Sequence, residues 1–77
     1  MNLNYIAGTV EDIIREIVIT DKEIDLGTTL VSDLGVDSFD MVLISSAIED
    51  EFSIFIDDEF MVNDKLTVKD IVDKVSS

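Results

Sequence analysis

The sequence predicts an all-α fold: a small four-helix bundle of three main helices and one short helix, with a long loop between helices I and II. Apolar residues recur at helical spacing in three separate segments, and helix-capping residues stand at several of their starts. The few possible strand segments have no convincing partner. Because the chain has 77 residues, of which 47% are hydrophobic, we expect residues 1–77 to form a single domain around one core.

An apolar stripe near the N-terminus predicts the first helix. Its members, at alternating steps of three and four, are Leu3, Ile6, Val10, Ile13 and Ile17. Thr9 and Asp12 have the spacing of a capping box, so the helix could instead begin at residue 9. We prefer a longer helix that continues through Gly8 and ends in the β-branched run 17–20.

Residues 20–36 form the predicted long loop, which contains Thr, Asp, Ser and two glycines. Loops of this length in small domains are usually functional or locally packed. Leu26, Leu30 and Leu34 recur at every fourth position. We therefore expect the loop to lie against the helices.

The second helix has the clearest start. Asp37 is a suitable N-cap, and Asp40 puts negative charge in the first turn, where it suits the helix dipole. The apolar positions that follow are Phe39, Val42, Ile44, Ala47, Ile48 and Phe52. Phe52, Ile54 and Ile56 alternate as a short strand would, but without a partner strand an extended connector is the better interpretation.

Two helix starts are predicted after this connector. The acidic run 57–59 could open a short helix that turns Phe60 and Val62 inward. Thr67 and Asp70 form a capping-box pattern, and Val68, Ile71, Val72 and Val75 follow it at helical spacing. The residues expected to line the core are Val42, Ile44, Ile48, Phe52, Ile54, Ile71 and Val75.

Composition excludes several classes of function. The chain has neither Cys nor His, which excludes disulfides, thiolate nucleophiles, zinc sites of the usual kind and Ser–His relays. Eighteen acidic against five basic residues give a net charge of −13, which argues against nucleic acid and against anionic membranes. A partner should present a basic face. With no signal-peptide pattern and no apolar run of membrane-spanning length, we expect a cytoplasmic protein.

The acidic residues do not form a recognisable metal or catalytic motif. Asp21, Glu23 and Asp25 alternate as at the start of an EF-hand loop, but Leu26 and Ser32 occupy the positions that need Gly and Glu. Capping explains Asp37 and Asp40, and a core this small leaves little room for a deep pocket. We therefore expect no catalytic activity from the chain itself.

An isolated Asp-Ser pair would be an ordinary helix start, but the surroundings of Ser38 change its interpretation. The stretch DLGVDSFD at residues 33–40 resembles the modification site of acyl carrier proteins, the four-helix carriers of phosphopantetheine. The spacing of helix II in that family recurs in Val42, Ile44, Ile48, Glu49, Glu51 and Phe52. The connector at 54–58 and the helix start at 67–70 are also similar. The resemblance covers residues 30–75 firmly and the first helix loosely.

The resemblance implies that Ser38 accepts 4′-phosphopantetheine from coenzyme A through a separate phosphopantetheinyl transferase that uses Mg²⁺. Asp37 would help to hold that metal in the encounter complex, in addition to capping the helix. Gly35 would let the loop turn sharply and keep Ser38 exposed. Acyl groups would be carried as thioesters on the terminal thiol of the arm, and the core would part slightly to shelter them. We expect a monomeric carrier.

The acidic surface of helix II then becomes a docking surface for basic patches on fatty-acid or polyketide synthase enzymes. Its predicted members are Asp40, Met41, Leu43, Glu49, Asp50 and Glu51. Leu43 stands where carriers of fatty-acid synthesis commonly have an acidic residue, which leaves a specialised pathway open. The alternative function is an acidic interaction module or nucleic-acid mimic that binds a basic partner, with Ser38 only a helix-start residue.

Overall fold

The computed structural model describes residues 2–77 and confirms the all-α prediction. Its helices are α1 (Leu3–Ile17), α2 (Ser38–Phe52), α3 (Asp58–Met61) and α4 (Val68–Ser76). α1 packs against both α2 and α4. Residues 2–77 contain no β-strand, only an isolated antiparallel bridge between Thr29 and Thr67. Over the same residues, no helix is long and apolar enough to cross a membrane.

α1 is the longer helix that we preferred, and it continues through Gly8. It begins at Leu3 because the Asn2 side chain caps it, accepting a hydrogen bond from the Asn4 backbone N–H at 2.7 Å. The buried residues are Ile6, Val10 and Ile14. The predicted stripe was therefore partly wrong: Ile14 is buried where Ile13 was expected, and Leu3 is 58% exposed.

α2 begins where the sequence predicted, but it faces the core with a different side. The Asp37 carboxylate caps it by accepting the Asp40 N–H at 2.9 Å. Its buried residues are Met41, Ile44 and Ile48, at steps of three and four. Two residues assigned to the apolar face, Val42 and Phe39, are 66% and 70% exposed. Conversely, Met41 was predicted on the outer surface and is only 7% exposed, because it belongs to the buried stripe.

The loop at 20–36 is tied to the start of α4 by backbone hydrogen bonds. The Leu30 N–H donates to the Leu66 carbonyl at 3.1 Å, and the Val68 N–H donates to the Thr28 carbonyl at 3.0 Å. The expectation that the loop lies against the helices is confirmed. The residues it buries are Ile24, Thr28, Leu30 and Val36. Leu26, in contrast, is 42% exposed. The regular spacing of the three leucines therefore did not correctly predict which loop residues are buried.

The second half of the chain follows the prediction except at Val62, which was expected to turn inward. Residues 54–57 are an extended connector, and α3 turns Met61 fully inward and Phe60 partly, while Val62 is exposed. α4 has a complete capping box, in which Thr67 and Asp70 each accept the other's backbone N–H. Of the other predicted core residues, Ile44, Ile48 and Ile71 are buried. Those packed partly buried against the core are Phe52, Ile54 and Val75.

Candidate functional site at the start of helix α2

Ser38 is the first residue of α2, and its side chain is exposed. The first N–H groups of a helix have no partner within the helix, and the dipole makes this end positive. Asp37 satisfies one of these groups through the N–H of Asp40. The hydroxyl therefore stands in a position that tolerates a negatively charged phosphodiester.

The backbone before Ser38 is reversed at Gly35. Gly35 has φ of +69°, a left-handed conformation that side chains other than glycine adopt at a cost. A Cβ added there would meet no atom within 4 Å, so it is the conformation and not the space that requires glycine. Two nested hydrogen bonds hold the turn: Gly35 N–H to the Val31 carbonyl and Val36 N–H to the Leu30 carbonyl, each at 3.0 Å.

The turn at 29–34 is stabilised by side chains as well. The Asp33 carboxylate accepts the Thr29 N–H at 2.9 Å, and the Asp33 N–H donates to the Thr29 hydroxyl at 3.1 Å. The ammonium group of Lys22 donates to the Asp33 carbonyl at 2.7 Å. The backbone N–H of Thr29, its hydroxyl and the charge of Lys22 lower the pKa of the Asp33 carboxyl below its usual value. These hydrogen bonds stabilise the turn that precedes Ser38.

A groove of about 470 Å³ opens beside Ser38 between α2 and the α3 region. Most of its lining is apolar, from Val31, Val36, Met41, Val42, Ile56, Met61 and Val62. Ser38 and Asp37 lie at one end, and Ser45, Ser46 and Glu49 continue the wall along α2. A group tethered to Ser38 can therefore fold back along an apolar surface.

The charge of the protein is strongly segregated along the chain. Residues 23–64 hold twelve of the eighteen acidic residues and none of the five basic ones, so this segment alone contributes −12 of the net charge of −13. It contains most of the loop and all of α2 and α3, whereas α1 and α4 together carry a charge of only −2. The predicted docking residues Asp50 and Glu51 are exposed on α2, and Asp40 is half-buried.

Glu49 differs from the other acidic residues of α2 because it has a structural partner. Its carboxylate accepts the Ile56 backbone N–H at 2.7 Å, and its side chain is half-buried. Met41, also predicted to dock partners, belongs to the core as described above. No three Asp or Glu side chains within residues 2–77 are placed to hold a metal ion.

Sequence reasoning missed an exposed apolar patch on α2, formed by Phe39, Val42 and Leu43, which are 70%, 66% and 41% exposed. Of these, only Leu43 was predicted to face outward. Nearly every turn of α2 carries apolar residues on more than one side, so the sequence pattern did not separate the core face from the outer face.

A small helical carrier is the class of protein that these features define: an exposed serine at a helix start, a groove beside it, and an acidic surface around both. The family model described as "Phosphopantetheine attachment site" matches residues 4–75. An acyl carrier protein of Coprothermobacter proteolyticus is 35% identical over 78 residues, covering 100% of this chain and 94% of the relative. The solved structure of a protein assigned as an acyl carrier protein of Mycobacterium tuberculosis is 34% identical, with a TM-score of 0.81, covering 92% of this chain and 95% of that one.

The chain belongs to the phosphopantetheine-binding family of acyl carrier proteins. It carries phosphopantetheine covalently, and it is a carrier without catalytic activity of its own. Membership also implies that it interacts with a phosphopantetheinyl transferase and with synthase enzymes. The alternative of an acidic interaction module or nucleic-acid mimic is not favoured by these relatives.

Proposed function

We propose that Ser38 is the residue to which phosphopantetheine is attached, and that residues 1–77 work as one monomeric carrier domain in the cytoplasm. The observation that carries this proposal is the exposed Ser38 hydroxyl at the N-terminus of α2, at one end of the groove. Asp37 would contribute to Mg²⁺ binding during arm transfer. Capping engages one of its two carboxylate oxygens, so capping and metal binding are compatible.

Intact mass spectrometry tests the attachment residue. The protein is incubated with coenzyme A, Mg²⁺ and a broad-specificity phosphopantetheinyl transferase. We expect the mass to increase by one arm in the unmodified protein and in Ser45→Ala, and to stay unchanged in Ser38→Ala. Ser45 is a suitable control because it lies in the wall of the same groove. Arm addition to Ser38→Ala would contradict the proposal.

The groove between α2 and the α3 region is the proposed shelter for the acyl cargo. Burying apolar surface of the cargo there should stabilise the fold, since about 25 cal/mol is gained per Å² of apolar area removed from water. Thermal melting of forms loaded with acyl chains of increasing length tests this. The absence of stabilisation with every chain would exclude sheltering.

The outer face of α2 is the proposed docking surface for partner enzymes. Phe39, Val42 and Leu43 would fill an apolar depression in the partner, while Asp50 and Glu51 would meet its basic residues. Charge would steer the encounter, and apolar contact would select the partner. An apolar patch of this kind fits a dedicated enzyme of a specialised acyl pathway better than a set of housekeeping enzymes of fatty-acid synthesis.

A further inference from the structure

We propose that Glu49 is a specificity-determining residue that closes the far end of the groove and thereby limits the length of acyl chain sheltered there. This inference rests on the proposed function of the groove as a shelter for cargo attached at Ser38. It concerns a residue that the sequence suggested only as a docking charge.

Glu49 holds the connector between α2 and α3 against the end of α2. Its backbone carbonyl accepts the N–H of Ser53, the left-handed residue that ends α2, and also that of Ile54 at 3.3 Å. Its carboxylate reaches further and accepts the Ile56 N–H at 2.7 Å. Glu49 therefore binds the end of α2 and two residues of the connector, Ile54 and Ile56.

Ile56 is placed by this contact as a wall of the groove. Its side chain is 3% exposed and lines the groove together with the half-buried Glu49. An acyl chain that pushed Ile56 aside would break the hydrogen bond from its N–H. A buried N–H and a half-buried carboxylate would then lose their partners, which is unfavourable.

The positions along α2 give the groove a direction. Ser38, Val42, Ser45 and Glu49 succeed one another at steps of four, three and four, and all line it. Ser38 and Glu49 are eleven residues apart, which at the rise of an α-helix is about 16 Å. Cargo folding back from Ser38 along α2 meets a lining in which apolar side chains predominate, although Asp58 and Asp64 also contribute to it, and then reaches the hydrogen-bonded carboxylate of Glu49. The fitting cargo is an apolar acyl chain that ends before Glu49.

The experiment uses the full-length protein loaded on its arm with saturated chains from butyryl to palmitoyl. The measured quantity is the gain in melting temperature over the form that carries the arm alone. We expect the gain to grow with chain length and then to stop at a limiting length. In Glu49→Ala the limit should move to longer chains by at least one two-carbon step. In Glu49→Gln, whose amide oxygen can still accept the Ile56 N–H, it should stay unchanged.

Glu51→Ala is the matched control, because it removes an exposed charge from α2 two residues away. Its limiting length should equal that of the wild type. Hydrogen exchange of the Ile56 amide gives a second test in the wild type, independent of how well Glu49→Ala folds. The amide should stay protected up to the limiting length and lose protection beyond it.

The possible results distinguish a failure of the role of Glu49 from a failure of the groove to shelter cargo attached at Ser38. The role of Glu49 is overturned if the limiting chain length is the same in Glu49→Ala and in the wild type and the Ile56 amide stays protected with every acyl chain. Sheltering of the cargo in the groove would remain supported. The absence of any gain with any chain overturns both sheltering and the role of Glu49. Failure to attach the arm at Ser38 is detected earlier, by intact mass.

Discussion

Thr29 and Asp33 hydrogen-bond each other in both directions across one turn of the loop that leads to Ser38. The Thr29 N–H donates to the Asp33 carboxylate, and the Asp33 N–H donates to the Thr29 hydroxyl. Thr29 also forms the isolated bridge with Thr67, at the start of α4. The segment before Ser38 is therefore bonded within its own turn and also connected to the start of α4.

Asp33 should make the stability of the protein sensitive to acid. Its pKa in the folded state is lowered below the ordinary 3.8, first by the Thr29 N–H. An acid whose pKa is lower in the folded than in the unfolded state stabilises the fold above the unfolded value, and this contribution is lost as the pH falls through the folded value. We expect the melting temperature of the wild type to exceed that of Asp33→Asn at neutral pH, with the difference vanishing well below about pH 4.

The direct check is a carboxyl NMR titration of Asp33, which should give a pKa below the ordinary value. Thr29→Val, which removes the hydroxyl but keeps the backbone N–H, should raise that pKa only partly. A difference between wild type and Asp33→Asn that is the same at neutral and acid pH would show that the ionised carboxylate does not stabilise the loop.

Gly8 and Gly35 should respond in opposite ways to substitution by alanine. Gly35→Ala puts a Cβ on a residue with φ of +69°, and the left-handed conformation costs roughly 1–2 kcal/mol there. Gly8→Ala lies inside α1 and should stabilise by about 0.5–1 kcal/mol. Neither new Cβ meets an atom within 4 Å, so a steric clash does not contribute to the difference in stability between the two variants.

Thermal denaturation of both variants measures this contrast. For a domain of this size, 1 kcal/mol corresponds to about 4–8 °C in the melting temperature. Gly35→Ala should also slow arm transfer to Ser38, because the turn before it must rearrange. Equal destabilisation by both substitutions would contradict a conformational role for Gly35.

Helix starts could be predicted from the sequence because their causes are local. The capping box of Thr67 and Asp70 and the cap at Asp37 each involve side chains within one turn, and both are present in the structure. Helix caps formed by side chains within one turn can thus be predicted without knowledge of the fold. The proposed attachment residue, Ser38, was predicted from the resemblance of residues 33–40 to the modification site of acyl carrier proteins, and not from helix capping.

Burial could not be predicted as well, because it depends on contacts between distant segments. In α2, Met41 and Val42 are adjacent apolar residues, and Met41 is buried while Val42 is 66% exposed, a difference that depends on how α2 packs against the other segments. In the loop, the burial of Val36 and Thr28 accompanies backbone hydrogen bonds of the loop, some of which reach the start of α4. The groove and the role of Glu49 are likewise products of how α2 and the connector meet.

The apolar patch of α2 should matter for partner contact and not for folding. Val42→Ser changes a residue that is 66% exposed, so we expect unfolding free energy to change by no more than about 0.5 kcal/mol. Because the proposed docked complex buries Val42, kcat/KM for arm transfer should fall about tenfold, equivalent to about 1.4 kcal/mol.

Ile19→Ser is the control for this prediction. Ile19 is fully exposed just after α1, outside the acidic segment and away from the groove. Its substitution should leave both stability and arm transfer unchanged. A similar loss of transfer in the two variants would mean that the effect is not specific to the face of α2.

The segregated charge should make the fold dependent on salt in a position-specific way. Twelve carboxylates without a basic residue in residues 23–64 repel one another, and salt screens such exposed charges, with a Debye length of about 8 Å at physiological ionic strength. We expect added NaCl to raise the melting temperature, and Mg²⁺ to do so at lower concentration.

Glu51→Gln, within the acidic segment, should raise the melting temperature at low salt and weaken its dependence on salt. Glu16→Gln, at the end of α1 next to Arg15, should have a smaller effect. A melting temperature that does not change from low to high salt would show that the repulsion is already relieved in the fold.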